Sequence, residues 1–145
     1  ATSPGIELVF RPSPATLDGS FSNNAWMQET PHPTTKIVWD NVAMMSPATA
    51  EALGLSISLT NGQHLVDRAE ISVGGVSIDT PIWIQHGIAD DTVVLETGYG
   101  REISTNREGR PSHFFDLDHE TDVYANGAIA SGLGVNVAAL RTVST

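Results

Sequence analysis

The sequence predicts a mainly β domain: a closed barrel of about six short strands with one or two short helices. Three observations predict it. Val76, Ile78, Thr80, Ile82 and Ile84 alternate along one face, the period of a strand. Thirteen Gly and eight Pro break the chain too often for a helix bundle. The apolar runs are short and joined by wandering connections, and closing such a sheet removes its exposed edges.

In chain order, Ile6, Leu8 and Phe10 suggest a first strand. Pro12 and Pro14 break residues 11–20 into loop, and Asp18-Gly19 is a turn signal. The next stretch, from Asn23 to Asn41, organises the rest. It opens with two amides and Trp26, and Pro31 and Pro33 then forbid a continuous helix. It closes with an expected strand, Lys36 to Trp39, that delivers Asp40 and Asn41 into a turn. Ser46 to Gly54 is the clearest helix, with Ser46 as N-cap, Pro47 at the first helical position and Gly54 as the left-handed stop.

Leu55 to Leu59 reads as a strand, followed by an Asn61-Gly62 tight turn. Ile71 and Val73 lead into Gly74-Gly75, a second hairpin signal, and then into the alternating strand. Pro81 implies an unpaired backbone position there. Thr92 to Thr97 is another strand, ending in Gly98-Tyr99-Gly100-Arg101. Residues 101–134 read as a long excursion with little regular structure. Val135, Val137 and Ala139 suggest a closing strand.

The 145 residues make one domain with a real core, and no repeat or linker divides them. A net charge of −10 repels nucleic acid and anionic lipid, so neither is an expected partner. The absence of Cys excludes disulfides, iron–sulfur clusters and thiolate zinc sites within the chain. No apolar run approaches a membrane span, so direct membrane insertion is not expected. The chain starts with Ala, and the expectation is a fragment of a larger protein.

Five motifs occur in one order: Asn23-Asn24-x-Trp26-Met27-Gln28-Glu29-x-Pro31, Lys36 to Asn41, Ser46-Pro47-x-Thr49-Ala50-x-x-Leu53-Gly54, Pro81-Ile82-Trp83-Ile84-Gln85-x-Gly87, and Gly98 to Arg101. Together they resemble the C-terminal domain of molybdopterin oxidoreductases, which binds the molybdopterin guanine dinucleotide. The likeness is nearest to the large iron–sulfur subunit of alternative complex III, and it covers about residues 6–100. It implies a double-psi β-barrel, part of a larger redox subunit whose clusters and molybdenum centre lie elsewhere. The implied partners are the remaining domains of that subunit and other subunits of a membrane complex, with a periplasmic-facing, membrane-associated location. The alternative complex III subunit is understood to lack the cofactor, so the nearer likeness implies an inherited scaffold with a vestigial pterin site. No cofactor is expected to bind tightly to this fragment alone. Ser56-Ile57-Ser58 stands where the family usually has a Gly-Asp pair.

The resemblance makes Asn23, Asn24, Trp26, Asn41, Gly98, Tyr99, Gly100 and Arg101 the candidate cofactor-binding residues. The amides offer both donors and acceptors to a pterin or guanine edge; their ordinary use is to cap turns and satisfy buried backbone. Trp26 and Trp39 can stack on a heterocycle, though core packing is the commoner use of tryptophan. Trp83 falls opposite the aliphatic face, a position for docking the rest of a parent protein. Gly98 to Arg101 can bring backbone and a cation to a phosphate, or simply end a strand.

The five histidines, His32, His64, His86, His113 and His119, show no paired ligand spacing and read as exposed loop residues. The acidic run Asp116 to Asp122 lacks the glycine a calcium loop needs and reads as a solvated loop. No nucleophile elbow or cysteine supports covalent catalysis, and no catalytic centre is expected within the fragment. The first functional expectation is a non-catalytic domain of an electron-transfer subunit. The second is a free-standing acidic barrel module that binds a protein partner. An excised domain exposes an apolar face where its parent was cut away, whereas a free module does not.

Overall fold

The computed structural model describes residues 5–102 and 129–141. Its strands are β1 (Glu7–Pro12), β2 (Ala43–Met45), β3 (Ile57–Thr60), β4 (Gln63–Val66), β5 (Arg68–Val73), β6 (Val76–Ile84) and β7 (Thr92–Thr97). Two short helices, α1 (Ala25–Glu29) and α2 (Pro47–Ala52), and a 3-10 turn, η1 (Val137–Leu140), complete the described elements. The acidic run, His113, His119 and most of the expected excursion lie outside the described residues.

The protein is mainly β, as expected, but its sheet is not closed. Five strands run in the order β1-β7-β2-β6-β5, while β3 and β4 pair only with each other. The β1–β7 and β2–β6 pairs are parallel; β7–β2 and β6–β5 are antiparallel. Both edges, β1 and β5, therefore keep one unpaired side among the described residues. The β3–β4 hairpin stands apart from this sheet and turns at Asn61-Gly62. Both residues are left-handed, with φ of 51° and 77°, the geometry of a type I′ hairpin turn. That turn commits residues 57–66 to a hairpin of their own, with Ile57 opposite Val66.

Two strand expectations fail for identifiable reasons. Lys36 to Trp39 is not a strand, because Lys36 and Trp39 sit at φ of 65° and 60°, outside the extended region. The strand comes later, at Ala43–Met45, whose residues are all buried; a central strand needs no polar face. The expected closing strand at Val135 to Ala139 is η1 instead. Val137 and Leu140 are both buried while Ala138 and Ala139 between them are exposed, a three-residue period that a strand cannot supply.

Other local signals hold. Asn24 caps α1 by accepting from the Met27 N–H. In α2, Leu55 N–H donates to the Ala50 carbonyl and Gly54 N–H to that of Glu51, the two bonds of a Schellman stop. Pro81 sits where β6 passes from one partner to the next: β5 pairs up to Pro81 and β2 pairs from Ile82. Ile82 N–H donates to Asp67 on the β5 side, so the N–H that proline lacks would have pointed to the other side, before β2 begins.

The core gathers Ala43, Met45, Ala50, Ile82, Val93, Leu95, Val137 and Leu140, with Leu8, Phe10, Ile71 and Val73 packed against it. The N-terminus of α2 is tied to the start of β7. Ser46 Oγ accepts from the Thr49 N–H and donates to Asp90 at 2.6 Å, while Thr49 Oγ1 accepts from the Asp91 N–H. Ser46→Ala removes the cap and the Asp90 bond together. The expected cost is about 1–2 kcal/mol, read as a lower midpoint in urea unfolding.

Candidate functional site

Beyond β7 the chain runs through Gly98-Tyr99-Gly100-Arg101, and three distant stretches close over it. Gly98 has φ of 104°, and a Cβ there would lie 2.3 Å from Thr16 Oγ1 and 2.6 Å from the Leu17 carbonyl oxygen. Ser22 Oγ spans the same contact, donating toward the Gly19 and Gly98 carbonyls at 2.8 and 3.2 Å. Gly100 has φ of 74°, and its Cβ would lie 2.1 Å from Asn136 N. Both glycines are required by backbone packing on backbone.

Asn41 is the staple of this junction. Its Nδ2 donates to the Glu96 and Val135 carbonyls, both at 2.9 Å, and its Oδ1 accepts from the Val135 N–H at 2.8 Å. Gly134 leaves room for it, since a Cβ there would fall 2.6 Å from Asn41 Oδ1. Tyr99 donates its hydroxyl to Gln28 Oε1 at 3.0 Å, and Gln28 Nε2 donates to the Ser22 carbonyl. Burial chiefly pushes the Tyr99 phenol above its ordinary pKa, with Glu96 and Asp40 adding to the effect, so it stays a neutral donor. Arg101 Nη2 donates to Asn23 Oδ1 and to the Ile129 carbonyl.

Six of the eight expected site residues thus meet: Asn23, Asn41, Gly98, Tyr99, Gly100 and Arg101. Asn24 is used as a helix cap. Trp26 is 85% exposed, so it is not the core residue that tryptophan usually becomes. Trp39 and Trp83 are both half-buried.

A pterin dinucleotide needs open space beside the glycines and unengaged amide edges. Here the Leu17 carbonyl and the Val135–Asn136 peptide fill the space beside Gly98 and Gly100. The Asn41 amide is engaged on both sides by the chain's own backbone. The described residues do not fit that group.

Next to the junction is a cavity of about 150 Å³. Met27, Ile37, Val42, Met44 and Pro14, Pro31 and Pro33 supply its apolar walls, and Glu96, Asp40, His32 and Tyr99 its polar ones. Glu96 is 5% exposed, and its Oε1 accepts from Arg11 Nε at 2.9 Å. His32 Nδ1 accepts from the backbone N–H groups of Thr34 and Thr35, so Nε2 carries the proton and donates to Glu96 Oε1 at 3.0 Å. His32 is therefore a structural residue and not the exposed loop histidine expected; His86 is exposed.

Sequence reasoning missed Glu96, Arg11 and Gln28. Arg11 faces Glu96 in the β1–β7 register, a pairing with no local signature. Among the described residues no three His, Asp or Glu side chains gather as a metal site, and no helix is long and apolar enough to cross a membrane.

Asp40 is exposed as a residue, but partial desolvation of its carboxyl is the chief cause that raises its pKa, against the opposing pull of the Asn41 N–H and of Arg68. A carboxyl whose folded pKa is raised favours the fold below its unfolded pKa, and that contribution is lost as pH rises through the folded value. Asp40→Asn is therefore expected to raise the melting temperature at pH 7. The gain should vanish below about pH 3.9, the ordinary aspartate value. Melting curves of the two proteins across that range check it, and an equal gain at both ends would contradict it.

No protein-family model matches the chain, and no curated protein matches it.

Proposed function

We propose that this is a non-catalytic domain of a larger electron-transfer subunit, built on the plan of the molybdopterin-dinucleotide-binding domain. In this reading the fold descends from a double-psi β-barrel, and the pterin region is vestigial, sealed by the chain's own backbone. The observation that carries it is the junction itself. Motifs separated by scores of residues converge beneath β7, yet their glycines and amides are consumed by internal contacts. The two parallel pairs, β1–β7 and β2–β6, joined through antiparallel β2–β7, support the barrel ancestry.

A second observation supports the larger parent. A groove of about 590 Å³ runs between the two sheet edges, lined by Leu8 of β1 and Ile6 just before it, Ile71 and Val73 from β5, and Leu53 and Leu55. On the β3–β4 hairpin, Leu59 and Leu65 are also exposed. An apolar face of this kind is what removal from a parent leaves behind. Its natural covers are the remaining domains of the redox subunit and, beyond them, other subunits of a membrane complex. The free-standing acidic module has the net charge of −10 in its favour, but it leaves this face unexplained.

The test is calorimetric titration of the purified chain with guanosine diphosphate, the nucleotide half of the family's cofactor. No saturable heat is expected. Saturable binding that Gly98→Ala or Asn41→Ala removes would overturn the vestigial reading.

A further inference from the structure

Independently of that reading, we propose that the cavity beneath Glu96 is a binding site for a small organic cation, an ammonium or amidinium carried on an apolar body no larger than one six-membered ring.

Size comes first. A largely apolar cavity of about 150 Å³ is of the volume that admits a benzene-sized molecule. Met27, Ile37, Val42 and Met44 supply the apolar contact. The lining carries no Lys or Arg, so nothing in it pairs with an anion.

Charge comes second. Glu96 is more than nine-tenths buried, and both of its partners, Arg11 and His32, reach only Oε1. Among the described residues no donor reaches Oε2, which keeps some solvent contact and leaves a carboxylate oxygen with unused acceptor capacity. Asp40 brings a second carboxylate to the wall. The lining thus holds two carboxylates and no cationic side chain; Arg11 pairs with Glu96 from outside it, and Arg68 acts on Asp40 from further off. A ligand with N–H donors and one positive charge can donate to Oε2, and charge-assisted bonds of this kind are the stronger ones.

The fit is to the ligand's shape as well. The walls formed by Pro14, Pro31 and Pro33 have few rotamers to lose, so the site needs little ordering on binding. Pro31 and Pro33 belong to the Asn23–Asn41 stretch, where they forbid a continuous helix.

The experiment is an amide-shift NMR titration of the full chain with three probes of one shape: benzylamine, benzyl alcohol and benzoate. Benzylamine, protonated at pH 7, is expected to saturate with a Kd on the order of millimolar or tighter, shifting the amides of Thr35, Ile37 and Tyr99. Benzyl alcohol should bind at least tenfold more weakly, and benzoate should not saturate. Glu96→Gln should weaken benzylamine about tenfold. Because that change also disturbs Arg11 and His32, two further variants keep the test open. Asp40→Asn retains the acceptor for the Asn41 N–H and should weaken benzylamine severalfold. Met27→Trp should fill the cavity and abolish binding. Equal affinity for benzyl alcohol would overturn the proposal, as would benzylamine binding that survives Met27→Trp, or no saturation by any probe.

Discussion

Gly100→Ala is expected to lower stability by about 2–5 kcal/mol, a sizeable part of the total for a domain of this length. Two effects add. The left-handed backbone, φ of 74°, costs a residue with a Cβ about 1–2 kcal/mol. The new methyl would also lie 2.1 Å from Asn136 N and 2.6 Å from the Val135 carbonyl carbon. Those neighbours are main chain, so they cannot turn aside as a side chain can, and the 129–141 segment must shift. Gly54→Ala is the matched control. Its φ is 70°, but nothing lies within 4 Å of the added Cβ, so only the conformational term applies. Urea unfolding of the two variants separates the terms, and equal losses would show that the close packing at Gly100 is not what holds the junction.

Asn41→Ala is expected to cost about 3–5 kcal/mol, because it strands three backbone groups at once. The Glu96 carbonyl loses a partner in a buried place, and the Val135 carbonyl and N–H lose theirs in a half-buried one. Asn41→Asp keeps the shape and is informative for that reason. It points a carboxylate oxygen at two carbonyl oxygens, so at pH 7 it should destabilise at least as much as alanine. The introduced carboxyl has its folded pKa raised by those oxygens, so its penalty is absent below the unfolded pKa and grows as pH rises through the folded one. The aspartate variant should therefore regain stability in acid relative to the alanine variant. A flat difference between the two across pH 3 to 7 would mean that Asn41 is not donating as assigned.

Both predictions concern residues that the sequence singled out for a different use. Asn41, Gly98 and Gly100 were legible as special, since amides and glycines in such a setting serve hydrogen bonding and close approach. What they approach was not legible. Asn41 bonds to residues 55 and 94 positions away, and nothing near it in the chain announces either. Trp26 shows the same limit from the other side. Its bulk argues for burial, but α1 presents Gln28 inward and leaves the indole in solvent. In the sequence Glu96 is only one residue of the expected Thr92–Thr97 strand; it is a buried ion-pair partner because β1 lies parallel to β7 in the register that sets Arg11 beside it.

Taken alone, the chain determined its turns and caps: Ser46 and Pro47 opening α2, Gly54 closing it, Asn61-Gly62 and Gly74-Gly75 making hairpins. Each rests on bonds between residues a few positions apart, so local chemistry is sufficient. It also determined the mainly β character, through the alternation in β6 and the density of Gly and Pro. Only the tertiary structure decided that the sheet stays open, that Ala43–Met45 is its centre, and that the junction glycines face the protein's own backbone. Those outcomes depend on which distant segments find each other, and a strand's edge carries the same donors and acceptors whichever partner arrives.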